Sequence, residues 1–142
     1  MLRGLSDIWQ VAIDSSRDFL NWAEIAEMVN SGLVSFGSHT VRHQILTTLN
    51  DEDIKKELID SRKELLKKNV LDSSCISFCY PNGNHTKEIA DMVRSSGYHL
   101  AVTTRSGWNH ADDDKFTLKL VGIHEDMTST TPLFACGIAG LI

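Results

Sequence analysis

A chain of 142 residues with 42% hydrophobic and 23% charged side chains is long enough to bury a core and reads as one globular domain. Its net charge of −5, with acidic and basic residues interleaved, offers no positive field to a phosphate backbone and excludes a nucleic-acid partner. No apolar run reaches the roughly 18–20 residues of a membrane span, and Met1-Leu2-Arg3-Gly4 leads into Ser6-Asp7 rather than a signal-peptide core, so a soluble chain of unassigned compartment is expected.

Residues 1–20 sustain no hydrophobic period, because Asp14-Ser15-Ser16 interrupts the apolar residues Ile8, Trp9, Val11 and Ile13; they read as an irregular N-terminal segment. Asn21, with Glu24 three positions on, predicts a capped helix whose apolar stripe is Ile25, Met28 and Val29 and which Gly32 stops. Leu33-Val34-Ser35-Phe36 predicts the first strand. It runs into Gly37-Ser38-His39-Thr40-Val41-Arg42-His43, two imidazoles four residues apart. Four residues is about one helical turn, so both rings can face one point. Zinc accepts imidazole nitrogen at roughly 2.0–2.1 Å, which makes His39 and His43 a candidate metal pair; the competing reading is a coincidence of surface polarity.

Asn50 predicts the cap of a long helix, with Asp51, Glu52 and Asp53 in its first turn and Lys67 and Lys68 in its last, each sign complementing the helix dipole. Ile54, Leu58 and Leu65 mark its buried face, and its charge run predicts a solvated one. Cys75 to Tyr80 predicts the second strand, closed by the turn Pro81-Asn82-Gly83, and a third helix follows from Thr86 to Ser96, ended by Gly97. His99–Thr104 and Leu118–Ile123 predict the third and fourth strands. Between them, Asp112-Asp113-Asp114 reads as a solvated loop. Residues 125–142, with Pro132, Gly137 and Gly140, read as a loop or frayed apolar tail. Cys75 and Cys79 would lie about 13 Å apart on an extended strand, too far for a disulfide. With Cys136 the count is odd, so all three are expected as free, buried thiols.

Strands alternating with helices argue for the α/β class, a parallel sheet with right-handed crossovers. In such sheets the strand-to-helix loops emerge together beyond the carboxyl ends of the strands. His39 and His43 follow the first strand, Pro81-Asn82-Gly83 the second, Arg105 to Asn109 the third, and His124 closes the fourth. One rim is therefore expected to collect them.

Together these residues resemble the polysaccharide deacetylases of carbohydrate esterase family four, the nodulation-deacetylase homology domain. Gly37 to His43 is similar to its His-x-x-x-His metal motif, and Trp22 to Met28 with Gly32 is similar to the helix before it. Phe78-Cys79-Tyr80-Pro81-Asn82-Gly83 resembles its groove motif, and Leu118 to His124 its last motif, which ends in histidine. The resemblance covers residues 20–126, the C-terminal part of the family's domain, with 127–142 as a tail. It implies a partial, distorted β/α barrel and metal-dependent N-deacetylation of acetamido sugars in a polysaccharide or oligosaccharide. The implied cofactor is a divalent ion, zinc or cobalt, and the implied partner is an N-acetylated carbohydrate.

The resemblance implies His39 and His43 as metal ligands, the backbone N–H of Asn82 as oxyanion donor and His124 as the acid that protonates the leaving amine. Tyr80, Pro81 and Trp108 would line the groove, although core or loop packing explains Tyr80 and Trp108 equally, and strand-end hydrogen bonding competes for His124. The family's consecutive aspartates, a base and a third ligand, have no counterpart before His39, and Cys79 stands where many members carry arginine. The front of the domain is thus expected to be missing, with an open sheet edge that favours self-association and weak activity of this chain by itself. Asp14 is the best placed of Asp7, Asp14 and Asp18 to substitute. The rival function is a catalytically inactive deacetylase-like fragment that binds glycan or a partner; a structural zinc domain lacks a recognisable four-ligand set.

Overall fold

Asn21 opens α1 (Trp22–Asn30): its side chain accepts from the N–H groups of Ala23 and Glu24, and Glu24 accepts from the Asn21 N–H at 2.8 Å. This reciprocal box satisfies amides that a helix start leaves without partners. The computed structural model describes residues 19–123 and 129–140. α2 (Asp51–Lys67) starts the same way at Asn50, which accepts from the Asp53 N–H at 2.9 Å, and α3 (Lys87–Ser95) starts at Thr86. Gly32 and Gly97, the two predicted stops, follow α1 and α3.

β1 (Ser77–Cys79), β2 (Leu100–Ser106) and β3 (Leu118–Leu120) form a parallel sheet in that order, so the chain is of the α/β class. Ser77, Phe78 and Cys79 pair with Leu100, Ala101 and Val102; the β2–β3 register shifts between Val102 and Ser106. α3 carries the chain from β1 back to the start of β2, the long return that a parallel pair needs. Ile54 and Leu58 from α2 and Ile89, Ala90 and Val93 from α3 meet Ile76, Phe78, Tyr80, Tyr98 and Ala101 in one core. His99 fastens the start of β2 to Ile76: its backbone N–H donates to the Ile76 carbonyl and its Nδ1 accepts from the Ile76 N–H, both at 2.8 Å.

Three expectations are corrected. The run Leu33–Phe36 makes no ladder among the described residues, and Leu33 is 81% exposed; pairing begins only at Ser38, in an isolated parallel bridge with Phe78. There the Ser38 N–H donates to the Ser77 carbonyl at 2.9 Å and the Cys79 N–H to the Ser38 carbonyl at 2.8 Å. Gly37 permits this approach, because a Cβ on it would strike the Ser77 hydroxyl and lie 3.2 Å from the Ser77 carbonyl oxygen. Apolar residues that find no neighbouring strand gain no ladder, whatever their propensity. The supposed tail holds α4 (Thr131–Ile138), capped by the Thr130 side chain with Pro132 in its first turn, where a missing N–H costs nothing. Finally, the cysteines are free, but none is buried: Cys75 is exposed, and Cys79 and Cys136 are half-buried.

Candidate functional site

The parallel bridge at Ser38 delivers the next residue, His39, to the carboxyl-terminal edge of the sheet beside the end of β1. Its Nδ1 lies 2.7 Å from the Cys79 carbonyl oxygen. A carbonyl only accepts, so Nδ1 carries the proton, and in the neutral ring the lone pair is on Nε2. The His43 ring stands edge-on to His39, with centroids 4.7 Å apart and planes at 61°. Both residues are exposed.

The pair meets without the helical turn that its spacing predicts. Residues 39–45 form a loop in which Thr40 (φ 67°) and His43 (φ 55°) occupy the left-handed region. For residues with a side chain, and above all for β-branched Thr40, such backbone costs about 1–3 kcal/mol each and persists only when the surroundings impose it. The Thr40 hydroxyl is buried and has no hydrogen-bond partner among the described residues.

Glu57 of α2 bonds to the middle of the loop. It is 5% exposed, and its Oε2 accepts the Val41 N–H at 2.8 Å and the Arg42 N–H at 3.0 Å, while Oε1 lies 3.9 Å from Arg42 Nε. The charge run of α2 is therefore not wholly a solvated face. One turn along, the Ser61 hydroxyl is 2.7 Å from that of Ser38, which also accepts from Tyr98 Oη at 2.8 Å; Tyr98 Oη in addition lies 2.9 Å from the Leu58 carbonyl. Glu57 and Ser61 thus grip both sides of His39. Sequence reasoning missed them, though the signal was present: Glu57 lies three residues after Ile54 and Ser61 three after Leu58, inside the arc that the apolar residues define.

The second strand-end loop is the turn Pro81–Gly83. Asn82 is exposed and left-handed (φ 57°, ψ 11°), and its side chain donates to Asn84 Oδ1 at 3.2 Å. Gly83 (φ 71°) has no room for a side chain, since a Cβ would strike the Thr104 hydroxyl and sit 2.8 Å from the Thr104 nitrogen. Beneath the turn, Tyr80 and Pro81 are fully buried; Tyr80 Oη donates to the Phe116 carbonyl at 2.9 Å and the ring stacks on His85 at 5.0 Å. Of the two readings of Tyr80, the structure places it in the core. Burial pushes its phenol well up, and burial likewise raises the Cys79 thiol.

After β2, Trp108 is 52% exposed, while Asn109 exchanges two 2.9 Å bonds with the Lys119 backbone. Because the sheet is parallel, these residues, the Pro81 turn and the histidine loop all follow carboxyl ends on one edge. Asp112 to Asp114 stay in the loop beyond: Asp113 accepts from the His110 N–H, which lowers its pKa, and Asp114 from the Phe116 N–H. His124, Asp7, Asp14 and Asp18 lie outside the described residues.

A divalent ion is consistent with two positions of this donor set. Both side chains are of the ligating type, and the Nδ1–carbonyl bond of His39 is the kind of outer contact that fixes a ligating imidazole. Among the described residues no third His, Cys, Asp or Glu joins them.

The sequence model of the family described as Polysaccharide deacetylase matches residues 9–101. No curated protein sequence matches the chain. Among solved structures, the Streptococcus pyogenes deacetylase PplD in complex with acetate is similar at 26% identity and a TM-score of 0.70, over 80% of this chain and 49% of that one. The polysaccharide deacetylase BC0361 of Bacillus cereus is similar at 30% identity and a TM-score of 0.69, over 84% and 36%. The BpsB deacetylase domain of Bordetella bronchiseptica, at 21% identity and a TM-score of 0.58, over 71% and 48%, shares the fold. The chain spans less than half the length of each. With a family match across most of the chain, on a parallel sheet that carries the paired histidines and the Pro81 turn at one edge, the chain belongs to the polysaccharide deacetylase family.

Proposed function

We propose that the chain carries the metal-binding part of a deacetylase site, which hydrolyses acetamido groups on the amino sugars of a polysaccharide or oligosaccharide. The observation that supports this reading is the His39–His43 pair, 4.7 Å between ring centroids, with the first ring oriented by the Cys79 carbonyl. A bound divalent ion, zinc or cobalt, supplies a Lewis acid that activates water and polarises the acetamido carbonyl.

His39 would ligate through Nε2, because its Nδ1–H is committed to Cys79. His43 supplies the second imidazole from the same loop. The left-handed turn at Asn82 lies at the same sheet edge, where the Asn82 N–H would donate to the carbonyl oxygen as it gains charge. Hydrolysis adds the water oxygen to the carbonyl carbon, breaks the C–N bond and delivers a proton to the departing amine. His124, which follows β3 in the sequence, would donate that proton; an imidazole suits the role because its pKa lies near neutrality. Trp108 is exposed at the same edge and available to a sugar ring.

The test joins cobalt and zinc titration by calorimetry to acetate release from acetylated chito-oligosaccharides. Expected are one divalent-ion site of modest affinity and acetate release that the metal stimulates, both lost in the His39→Ala, His43→Ala double variant. Metal binding unchanged by the double substitution would overturn the reading. Since no third ligating side chain joins the pair among the described residues, glycan binding without acetate release is the result that would favour a catalytically inactive binding module instead.

A further inference from the structure

We infer that Glu57, a residue of α2 outside the histidine motif, is the positioning residue of the His39–His43 pair. This inference rests on the reading of that pair as the metal site. A carboxylate 5% exposed is costly to bury unless donors surround it, and here the donors are the two consecutive amides, Val41 and Arg42, that lie between the histidines. Both amides converge on the single oxygen Oε2, which fixes the direction of the backbone at the midpoint of the loop. On either side of that clamp stand Thr40 and His43, the two left-handed residues. Neither favours that conformation by itself, so the loop needs an external hold, and Glu57 is the side chain that supplies it.

The geometry separates two jobs. His39 is oriented from the sheet, by Ser38 and the Cys79 carbonyl; His43 receives its direction through the loop that Glu57 holds. Glu57 needs no contact with the metal or substrate to matter. Loss of the clamp leaves two amides without their acceptor and frees the backbone before His43, so the rings no longer meet at one point. The ion pair with Arg42, 67% exposed in its side chain and 3.9 Å from the other oxygen, is too solvated to hold the loop in place of the two amide bonds.

Glu57→Ala, Glu57→Gln and Glu57→Asp are compared with wild-type protein in two measurements: the imidazole nitrogen shifts of His39 and His43 in metal-free protein by NMR, and Co²⁺ affinity by calorimetry. Glu57→Ala is expected to move the His43 ring signals, leave the His39 tautomer in place and weaken Co²⁺ binding about 10–100-fold, the range for outer partners of metal ligands. Glu57→Gln keeps one oxygen able to accept both amides and is expected to restore affinity to within about threefold. A protein weakened only in its core would lose stability in all variants without this pattern at His43.

If Glu57→Ala does not fold, Glu57→Asp decides: it retains the charge but withdraws the acceptor by about one bond length, and it is expected to shift His43 and weaken Co²⁺ several-fold. Wild-type ring signals and affinity in Glu57→Ala, or in Glu57→Asp where Ala does not fold, overturn the inference while leaving the metal reading intact. Absence of Co²⁺ binding in the wild type overturns the metal reading, and the metal-free ring shifts then still decide whether Glu57 sets the position of His43.

Discussion

His39 Nδ1 and the Cys79 carbonyl oxygen, 2.7 Å apart, join the histidine loop to the end of β1, forty residues distant in sequence and adjacent at the sheet edge. The bond selects one tautomer. In metal-free protein, nitrogen-detected NMR of the neutral ring should find His39 protonated at Nδ1. A ring protonated at Nε2 would leave the carbonyl without its donor and remove the argument that Nε2 faces a ligand.

Gly37 and Ser77 offer a test of how the histidine loop enters the sheet. Gly37→Ala places a methyl group against the Ser77 hydroxyl and 3.2 Å from its carbonyl oxygen. Overpacking of this kind costs about 1–3 kcal/mol, read as a lower urea midpoint. Ser77→Ala in the same chain should recover part of the loss by removing the hydroxyl, and not all of it, because the carbonyl remains. A change within about 0.5 kcal/mol, as for an ordinary surface site, would show that the close approach is not required.

Local chemistry was readable wherever a residue acts on its own neighbours. Asn21 with Glu24, Asn50 and Thr86 cap the helices that the sequence predicted, since a cap needs only the next three residues. The parallel α/β class also followed from the alternation of elements. What stayed hidden depends on distant partners. Leu33–Phe36 has the composition of a strand, but the ladder forms only at Ser38, where Gly37 lets the chain reach β1. The histidine spacing fits a helix, and a carboxylate fifteen residues later from Arg42 bends it into a left-handed loop instead. α4 had its signal, Thr130 and then Pro132, but the proline and two glycines outweighed it in a reading by composition.

Both tyrosines of the chain are buried, and burial raises each phenol above its ordinary pKa. A spectroscopic titration should therefore show no phenol ionising near pH 10, its value in an open chain. The sign follows from proton counts. Below about pH 10 both states keep the protons and the contribution to stability is complete; above it the unfolded chain releases protons that the fold retains, so stability falls as pH rises. Tyrosinate absorbance should appear together with loss of circular dichroism, in one cooperative step. A phenol that ionises near pH 10 with the fold intact would contradict the burial of Tyr80 and Tyr98.

The last prediction concerns rate. Water on a divalent ion held by two imidazoles would need a third, charge-balancing ligand and a base to take its proton, and no third His, Cys, Asp or Glu joins His39 and His43 in a ligand group among the described residues. The family resemblance points the same way, with Cys79 in the place where many members carry an arginine. Loss of a general base alone costs about 10²–10⁴-fold. Acetate release from acetylated chito-oligosaccharides, measured with added zinc or cobalt, is accordingly expected to be slower than that of a longer relative by at least this factor. Addition of metal should raise it only modestly, because the weak step is proton transfer as well as metal affinity. Turnover equal to that of a longer relative and abolished by His39→Ala would sink the prediction. It would mean that a carboxylate outside the described residues completes the site, and Asp14→Ala, compared with Asp7→Ala and Asp18→Ala, would then identify it by which substitution removes both the activity and the metal.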